Sequence, residues 1–259
     1  MNSSTSNNDA FSLAGKSFLI AGGTRGIGRA ISLRFARAGA KVIAIYVRGD
    51  DSAESLLNMA ADQGIMIDCL RADLTRSSGM EKITGSLDET GSGLSGLVYC
   101  AATGVHKHTS EFTAREIKWV FSLNIEAYIE LVNRLLPYME GGASIVAISS
   151  KGATRAVPGY GLVGASKGAL EAYSRHLAAE LARRGIRVNL LSPGTVRTDV
   201  WNILPDSERR LADAEARTPL GRLVSVDEVA YSAQFLCSDA ASGIVGHTLV
   251  VDGGIEIVE

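Results

Sequence analysis

Lys16-Ser17-Phe18-Leu19-Ile20-Ala21-Gly22-Gly23-Thr24-Arg25-Gly26-Ile27-Gly28 passes from a short apolar run into a glycine-rich turn. The run has the length of a buried strand and is closed by glycine. Beyond the turn, residues 27–38 carry apolar side chains at helical spacing, and Gly39 ends them. In such a strand–turn–helix, Gly22 permits the turn, Gly26 lets backbone amides approach a pyrophosphate, and Gly28 lets the helix pack close to the sheet. The helix start, with Thr24, Arg25 and Ile27 beside the glycines, presents free N–H groups and the positive end of the helix dipole to phosphates.

The same alternation continues along the chain. Apolar runs at 41–47, 65–72, 94–100, 143–149, 186–192 and 248–251 read as strands. Segments 52–63, 160–184, 207–216 and 226–237 read as helices, and 111–139 holds one or two more. Strands alternating with amphipathic helices predict an α/β chain: a single-domain, doubly wound parallel sheet with helices on both faces, its ligand at the carboxyl ends of the strands. Residues 1–11 are Ser/Asn-rich and predict a disordered tail, which leaves 12–259 as one domain. The segment at about 199–218 would overhang the carboxyl edge of the sheet. It reads as a substrate lid or as an ordinary surface excursion.

A 259-residue chain with 46% hydrophobic content can bury a sizeable core. A net charge of −2 argues against a nucleic-acid or membrane-surface binder. Cys69, Cys100 and Cys237 form no CxxC pair, and His106, His108, His176 and His247 show no ligand spacing with them, so no metal is expected and the thiols suit a reducing compartment. No apolar run is long enough to span a bilayer, and the N-terminus lacks the pattern of a signal peptide. A cytoplasmic protein is expected.

Tyr160 and Lys167 are seven apart. On one helix they would share a face about 10 Å apart, a phenol proton donor held near a positive charge. Ser150 stands just after the fifth predicted strand.

The pattern Gly22-x-x-x-Gly26-x-Gly28 resembles the short-chain dehydrogenase/reductase family, whose fold is a single Rossmann-type domain, and the resemblance runs from about residue 13 to 254. In that family an acidic residue at the end of the second strand holds the adenosine ribose. Here the segment is Ala44-Ile45-Tyr46-Val47-Arg48, which frees Arg48 and Arg25 to clamp a 2′-phosphate and implies NADPH. The resemblance further implies that Asp73 and Leu74 flank the adenine. Tyr99-Cys100-Ala101-Ala102 replaces the usual Asn-Asn-Ala-Gly, with Ala101 against the cofactor. Asn124 holds a relay water or plays a plain structural role. Pro193, Gly194, Val196 and Thr198 receive the carboxamide.

Most of the family carries Tyr-x-x-x-Lys, but position 163 is Val163 and the phenol lies three residues earlier, about 4.5 Å back along a helix. A donor so displaced suits a conjugate reduction, in which negative charge develops on a thioester oxygen several bonds from the carbon that takes hydride. Residues 152–171, 101–105 and 217–222 resemble the NADPH-dependent branch of the enoyl-acyl-carrier-protein reductases, which use Tyr-x6-Lys. That resemblance implies that Tyr160 bonds the thioester oxygen and Lys167 the nicotinamide ribose, with Ser150 on substrate, on a water or on its own backbone. It also implies an acyl-carrier-protein substrate in fatty-acid or polyketide synthesis, and a homotetramer built through the helix after Tyr160 and the last strand. Tyr173, Leu177 and Leu181 could serve such an interface or the core, and Trp201 and Leu204 an acyl pocket or the lid's own packing. Arg197, Arg209 and Arg210 could steer an acidic carrier, although Asp206, Glu208 and Asp213 interleave with them. The alternatives are a 3-oxoacyl ketoreductase or other short-chain alcohol dehydrogenase, and a non-catalytic NADP-binding regulator.

Overall fold

The protein is described here by a computed structural model covering residues 9–91, 93–198 and 206–258. Seven parallel strands form one sheet in the order β3-β2-β1-β4-β5-β6-β7. They are β1 (Ser17–Ala21), β2 (Lys41–Tyr46), β3 (Ile67–Arg71), β4 (Leu94–Tyr99), β5 (Met139–Ile148), β6 (Arg187–Pro193) and β7 (Thr248–Val251). The order reverses between β1 and β4, so the chain leaves the two halves of the sheet in opposite directions and a crevice opens above the carboxyl ends of those two strands.

Alternate side chains along each strand feed two cores, one per face. On one face Phe18, Ile20, Val42, Ala44, Val98 and Val146 pack against α1 (Gly26–Arg37), α2 (Asp50–Asp62) and α8 (Val226–Cys237). On the other, Leu19, Ala21, Ile45, Leu97, Tyr99 and Ile145 pack against α3 (Ser77–Thr90), α5 (Ala127–Leu135) and α6 (Gly161–Leu181). Each fully buried aliphatic side chain contributes about 1.5–3 kcal/mol of transfer free energy, which is why strands buried on both faces read as unbroken apolar runs.

The sequence reading names no helix between the third and fourth strands. The structure places α3 there, and its buried Met80, Ile83 and Leu87 fall at helical spacing. The 111–139 segment, expected to hold one or two helices, holds two, α4 (Ala114–Phe121) and α5, joined by a π-helical turn over Ser122–Glu126. Thr113 and Glu116 form a capping box that starts α4. In α6, Leu177 and Leu181 are buried in the core, and Tyr173 meets the ring of Tyr128 edge-on at 6.0 Å, so this stripe packs inward.

Residues 9–11, assigned above to the tail, make contacts: Phe11 lies 6.1 Å ring-to-ring from Phe235, its carbonyl accepts from Gln234, and the Ala10 carbonyl accepts from Ala240. The N-terminal half of the proposed lid, residues 199–205 with Trp201 and Leu204, lies outside the described residues. Its C-terminal half is α7 (Ser207–Arg217), seated by Leu211 and Ala214. Among the described residues no helix is long and apolar enough to cross a membrane, and no cluster of His, Cys, Asp and Glu could hold a metal.

Candidate active site

The glycine loop sits at the crevice. The amides of Gly22 and Gly23 both donate to the Ile45 carbonyl, which folds the loop over the end of β2. Gly22 has φ +77°, and a Cβ there would lie 3.0 Å from the Ala101 nitrogen. A Cβ on Gly28 would lie 2.0 Å from the Gly22 carbonyl oxygen, so the helix packs on the loop itself. Gly23, to which the sequence reading gives no role, is as confined: its Cβ position lies 2.8 Å from Ala44 Cβ and 2.9 Å from Ser32 Oγ, and that hydroxyl donates to the Gly23 carbonyl. These contacts leave the start of α1, from Gly26 and Ile27 onward, facing the crevice with no acidic side chain in its first turn. The buried Thr24 and the exposed Arg25 precede it. The cradle fits a pyrophosphate.

Arg48 follows β2, exposed like Arg25, and neither side chain makes an ion pair or hydrogen bond among the described residues. The nearby Asp50 is engaged by Arg71 at 3.2 Å. Asp73 and Leu74 follow β3. The Asp73 carboxylate accepts from the Thr75 amide and hydroxyl and pairs with Arg76 at 3.3 Å; partial burial would raise its pKa, but these bonds together bring it below the ordinary value. Leu74 is a core residue. On the other side of the crevice Pro193 ends β6, Gly194 packs against Asp252, the buried Val196 bridges to Val224, and Thr198 Cγ2 lies 3.5 Å from where a Gly26 Cβ would stand. The 193–198 segment and the phosphate loop therefore meet over the same cleft.

Asn124 lies in the π-helical turn and is fully buried. Its Oδ1 accepts from the Thr103 amide at 2.8 Å, while its Nδ2 donates to the Thr103 carbonyl and to Ser166 Oγ, both at 2.9 Å. The carboxamide thus holds the segment after β4, and its influence on a bound dinucleotide runs through that segment. Tyr99 supports the same turn by donating its hydroxyl to the Leu123 carbonyl.

Lys167 enters from α6 with 4% of its surface exposed, and its Nζ donates to the Ile148 carbonyl at 2.6 Å. Burial brings its pKa down to about 8. It lies close enough to Cys100 for each charge to affect the other. Burial nonetheless pushes that thiol up to about 12, so it is no nucleophile at neutral pH.

Tyr160 does not stand on the helix. Val157, Pro158 and Gly159 (φ +71°) make a turn in which the Tyr160 amide donates to the Val157 carbonyl, and α6 begins at Gly161. Tyr160 is the N-cap of α6, its carbonyl accepting from the Gly164 amide at 2.7 Å, so the phenol is carried at the junction of turn and helix and the ammonium of Lys167 by the helix itself. The Tyr160 ring lies against Gly152, where a Cβ would be 2.5 Å from Cδ1. Burial raises its pKa, partly offset by Ser150. Ser150 and Tyr160 are within electrostatic reach, yet no well-formed hydrogen bond joins them, and the buried Ser150 Oγ has no hydrogen-bond partner. Val163, at the position where the family pattern has its tyrosine, is buried against Gly104, whose Cβ would lie 2.5 Å from Val163 Cγ2.

A family model described as Enoyl-(Acyl carrier protein) reductase matches residues 21–256. A short-chain dehydrogenase/reductase from Serratia marcescens superposes with a TM-score of 0.87 at 27% identity, over 94% of this chain and 98% of that one. The chain belongs to the short-chain dehydrogenase/reductase family. A dehydrogenase/reductase from Sinorhizobium meliloti superposes with a TM-score of 0.88 at 29% identity, covering 95% of this chain and 97% of the other. Among curated relatives, a tropinone reductase homolog from Arabidopsis thaliana is 34% identical over 253 residues, 95% of this chain and 94% of its own. The 1-cyclohexenylcarbonyl-CoA reductase of Streptomyces collinus is 31% identical over 242 residues, 93% of this chain and 86% of its own. As an oxidoreductase of the short-chain dehydrogenase/reductase family, the protein uses a nicotinamide dinucleotide, NAD or NADP, in line with the cradle above.

Within that family site, the arrangement brings Ser150, Tyr160 and Lys167 to the carboxyl end of β5, across from Ala101 and the glycine loop. The basic rim is partly spent, because Arg197 is held by Glu208 at 2.9 Å. Sequence reasoning misses Gly152 and His106, which both touch Tyr160. A glycine four residues past the end of β5 and a histidine outside any ligand spacing carry no local signal of that contact.

Proposed function

We propose that this short-chain dehydrogenase/reductase uses NADPH to reduce the α,β double bond of an enoyl thioester. The observation that carries the reading is the position of the phenol. Tyr160 faces Ser150 from the turn before α6, while residue 163 is a valine packed on Gly104. A bound nicotinamide supplies hydride. Tyr160, displaced from the station where a ketone oxygen would sit, donates a hydrogen bond to the thioester oxygen as enolate charge develops. The buried Lys167 holds the ribose and adds positive potential in a dry site, where charge acts strongly. The uncommitted Arg25 and Arg48 favour the 2′-phosphate of NADPH over NADH. The relative named for a 1-cyclohexenylcarbonyl-CoA substrate, an unsaturated acyl thioester, supports the substrate class. The role extends to acyl-carrier-protein thioesters in fatty-acid or polyketide synthesis, in a cytoplasmic homotetramer with α7 over the site.

A second reading has its own observation. Tyr160 and Ser150 are neighbours, the pairing a carbonyl reduction needs, and several relatives are named as tropinone reductase homologs. NADPH oxidation measured in parallel with a crotonyl and an acetoacetyl thioester separates the two. Turnover of the crotonyl thioester is expected, and turnover of the acetoacetyl thioester alone would replace the enoyl assignment with ketoreduction.

A further inference from the structure

Tyr160 precedes α6, so no preceding helical turn restricts its side chain, and its orientation must come from tertiary contacts. One is the bare Cα of Gly152. The other is the His106 ring, 5.4 Å from the Tyr160 ring between centroids and tilted 42° to it, within the range of favourable aromatic pairs. The backbone keeps these rings in register: the Lys107 amide donates to the Gly159 carbonyl at 3.1 Å, so the residues adjoining both rings are joined. The segment is anchored on either side of His106. Thr103 is held by Asn124, and the Lys107 ammonium is held by Glu116 of α4 at 2.7 and 2.9 Å above the Phe112 ring.

We infer that His106 is a positioning residue, whose imidazole ring fixes the Tyr160 phenol in the orientation that reaches the acyl oxygen; the inference rests on Tyr160 acting as proposed above. The charged and titratable groups around the ring are Tyr160 itself, Arg210 of α7, and Lys107 with its partner Glu116. Partial burial and then Arg210 hold the imidazole below its ordinary pKa. The ring therefore stays neutral at neutral pH, and the contact is one of ring on ring.

The test uses full-length His106→Ala and His106→Phe proteins. It reads kcat and KM for whichever thioester the wild type turns over, NADPH affinity, and the ultraviolet titration of the Tyr160 phenol, isolated as the difference from Tyr160→Phe. With His106→Ala, kcat is expected to fall about tenfold or more, within what a misplacement of about 1 Å can cost. NADPH affinity is unchanged, and the phenol titrates at lower pH as its ring gains solvent. His106→Phe restores both. Equal losses in the two variants, or an unshifted phenol in His106→Ala, would overturn the role. The phenol titration needs no turnover, so it decides this inference even if neither thioester proves to be a substrate.

Discussion

Lys167 offers the sharpest quantitative test, because the same burial that makes its charge effective also opposes folding. The gap between 10.5 and about 8, at about 1.4 kcal/mol per pH unit, amounts to about 3 kcal/mol. The sign follows from proton counts. Below about pH 8 the lysine is protonated in both the folded and the unfolded chain, and the penalty is present in full. Between about 8 and 10.5 the unfolded chain holds a proton that the folded chain lacks, so stability rises with pH through that window. Lys167→Met removes the titration and keeps the length of the side chain. It also removes the bond to the Ile148 carbonyl, worth about 1.5–3 kcal/mol as a charge-assisted hydrogen bond. At pH 7 the variant is therefore expected to be as stable as the wild type, or up to about 1.5 kcal/mol more stable, with turnover lost. From pH 7 to 9.5 the wild type should gain about 2 kcal/mol relative to the variant. Urea unfolding of both proteins without cofactor across that range measures the difference, and comparing the two cancels every other titrating group. A difference that stayed flat with pH, or moved the other way, would refute the account of a desolvated ammonium.

Three further outcomes follow from the geometry. Gly28→Ala forces a Cβ to within 2.0 Å of the Gly22 carbonyl; it should cost about 1–3 kcal/mol in a denaturant melt and weaken NADPH binding in a fluorescence titration, and wild-type affinity would show that the loop tolerates the side chain. Tyr160→Phe should lower kcat by about 10²–10³ in steady-state assays without changing NADPH affinity; full activity would remove Tyr160 from the chemistry. Arg48→Ala should weaken NADPH by about tenfold to a hundredfold, the loss of one charged hydrogen bond, and leave NADH unaffected; an unchanged ratio of the two affinities by calorimetry would assign the 2′-phosphate to other groups.

The strands and most helices were legible because their signals are local. A run such as Phe18-Leu19-Ile20-Ala21 or Ser144-Ile145-Val146-Ala147-Ile148 is apolar on both faces because both faces are covered, and the glycines after β1 mark the turn. α3 escaped because Met80, Ile83 and Leu87 are spread among polar residues between two strong strands. The place where α4 gives way to α5 left no local signal, because the π-helical turn at Asn124 is stabilised by Thr103 and Ser166, both far away in sequence. Site residues on the glycine loop could be read from spacing. His106, Gly152 and the confinement of Gly23 could not, since each is defined by what lies across the crevice.

The sequence alone determined the parallel α/β sheet, the dinucleotide cradle, the absence of a carboxylate at the end of β2, and the valine where the family pattern has its tyrosine. These depend on residue type, period and spacing within a few dozen residues. Tertiary structure decided how Tyr160 is held: carried by the turn before α6, resting on Gly152 and against His106, near a Ser150 hydroxyl left without a partner. It also decided that Lys167 is buried on the Ile148 carbonyl, where its proton is loosened. Orientation and desolvation arise from groups that only the closed fold brings within a few ångströms of each other.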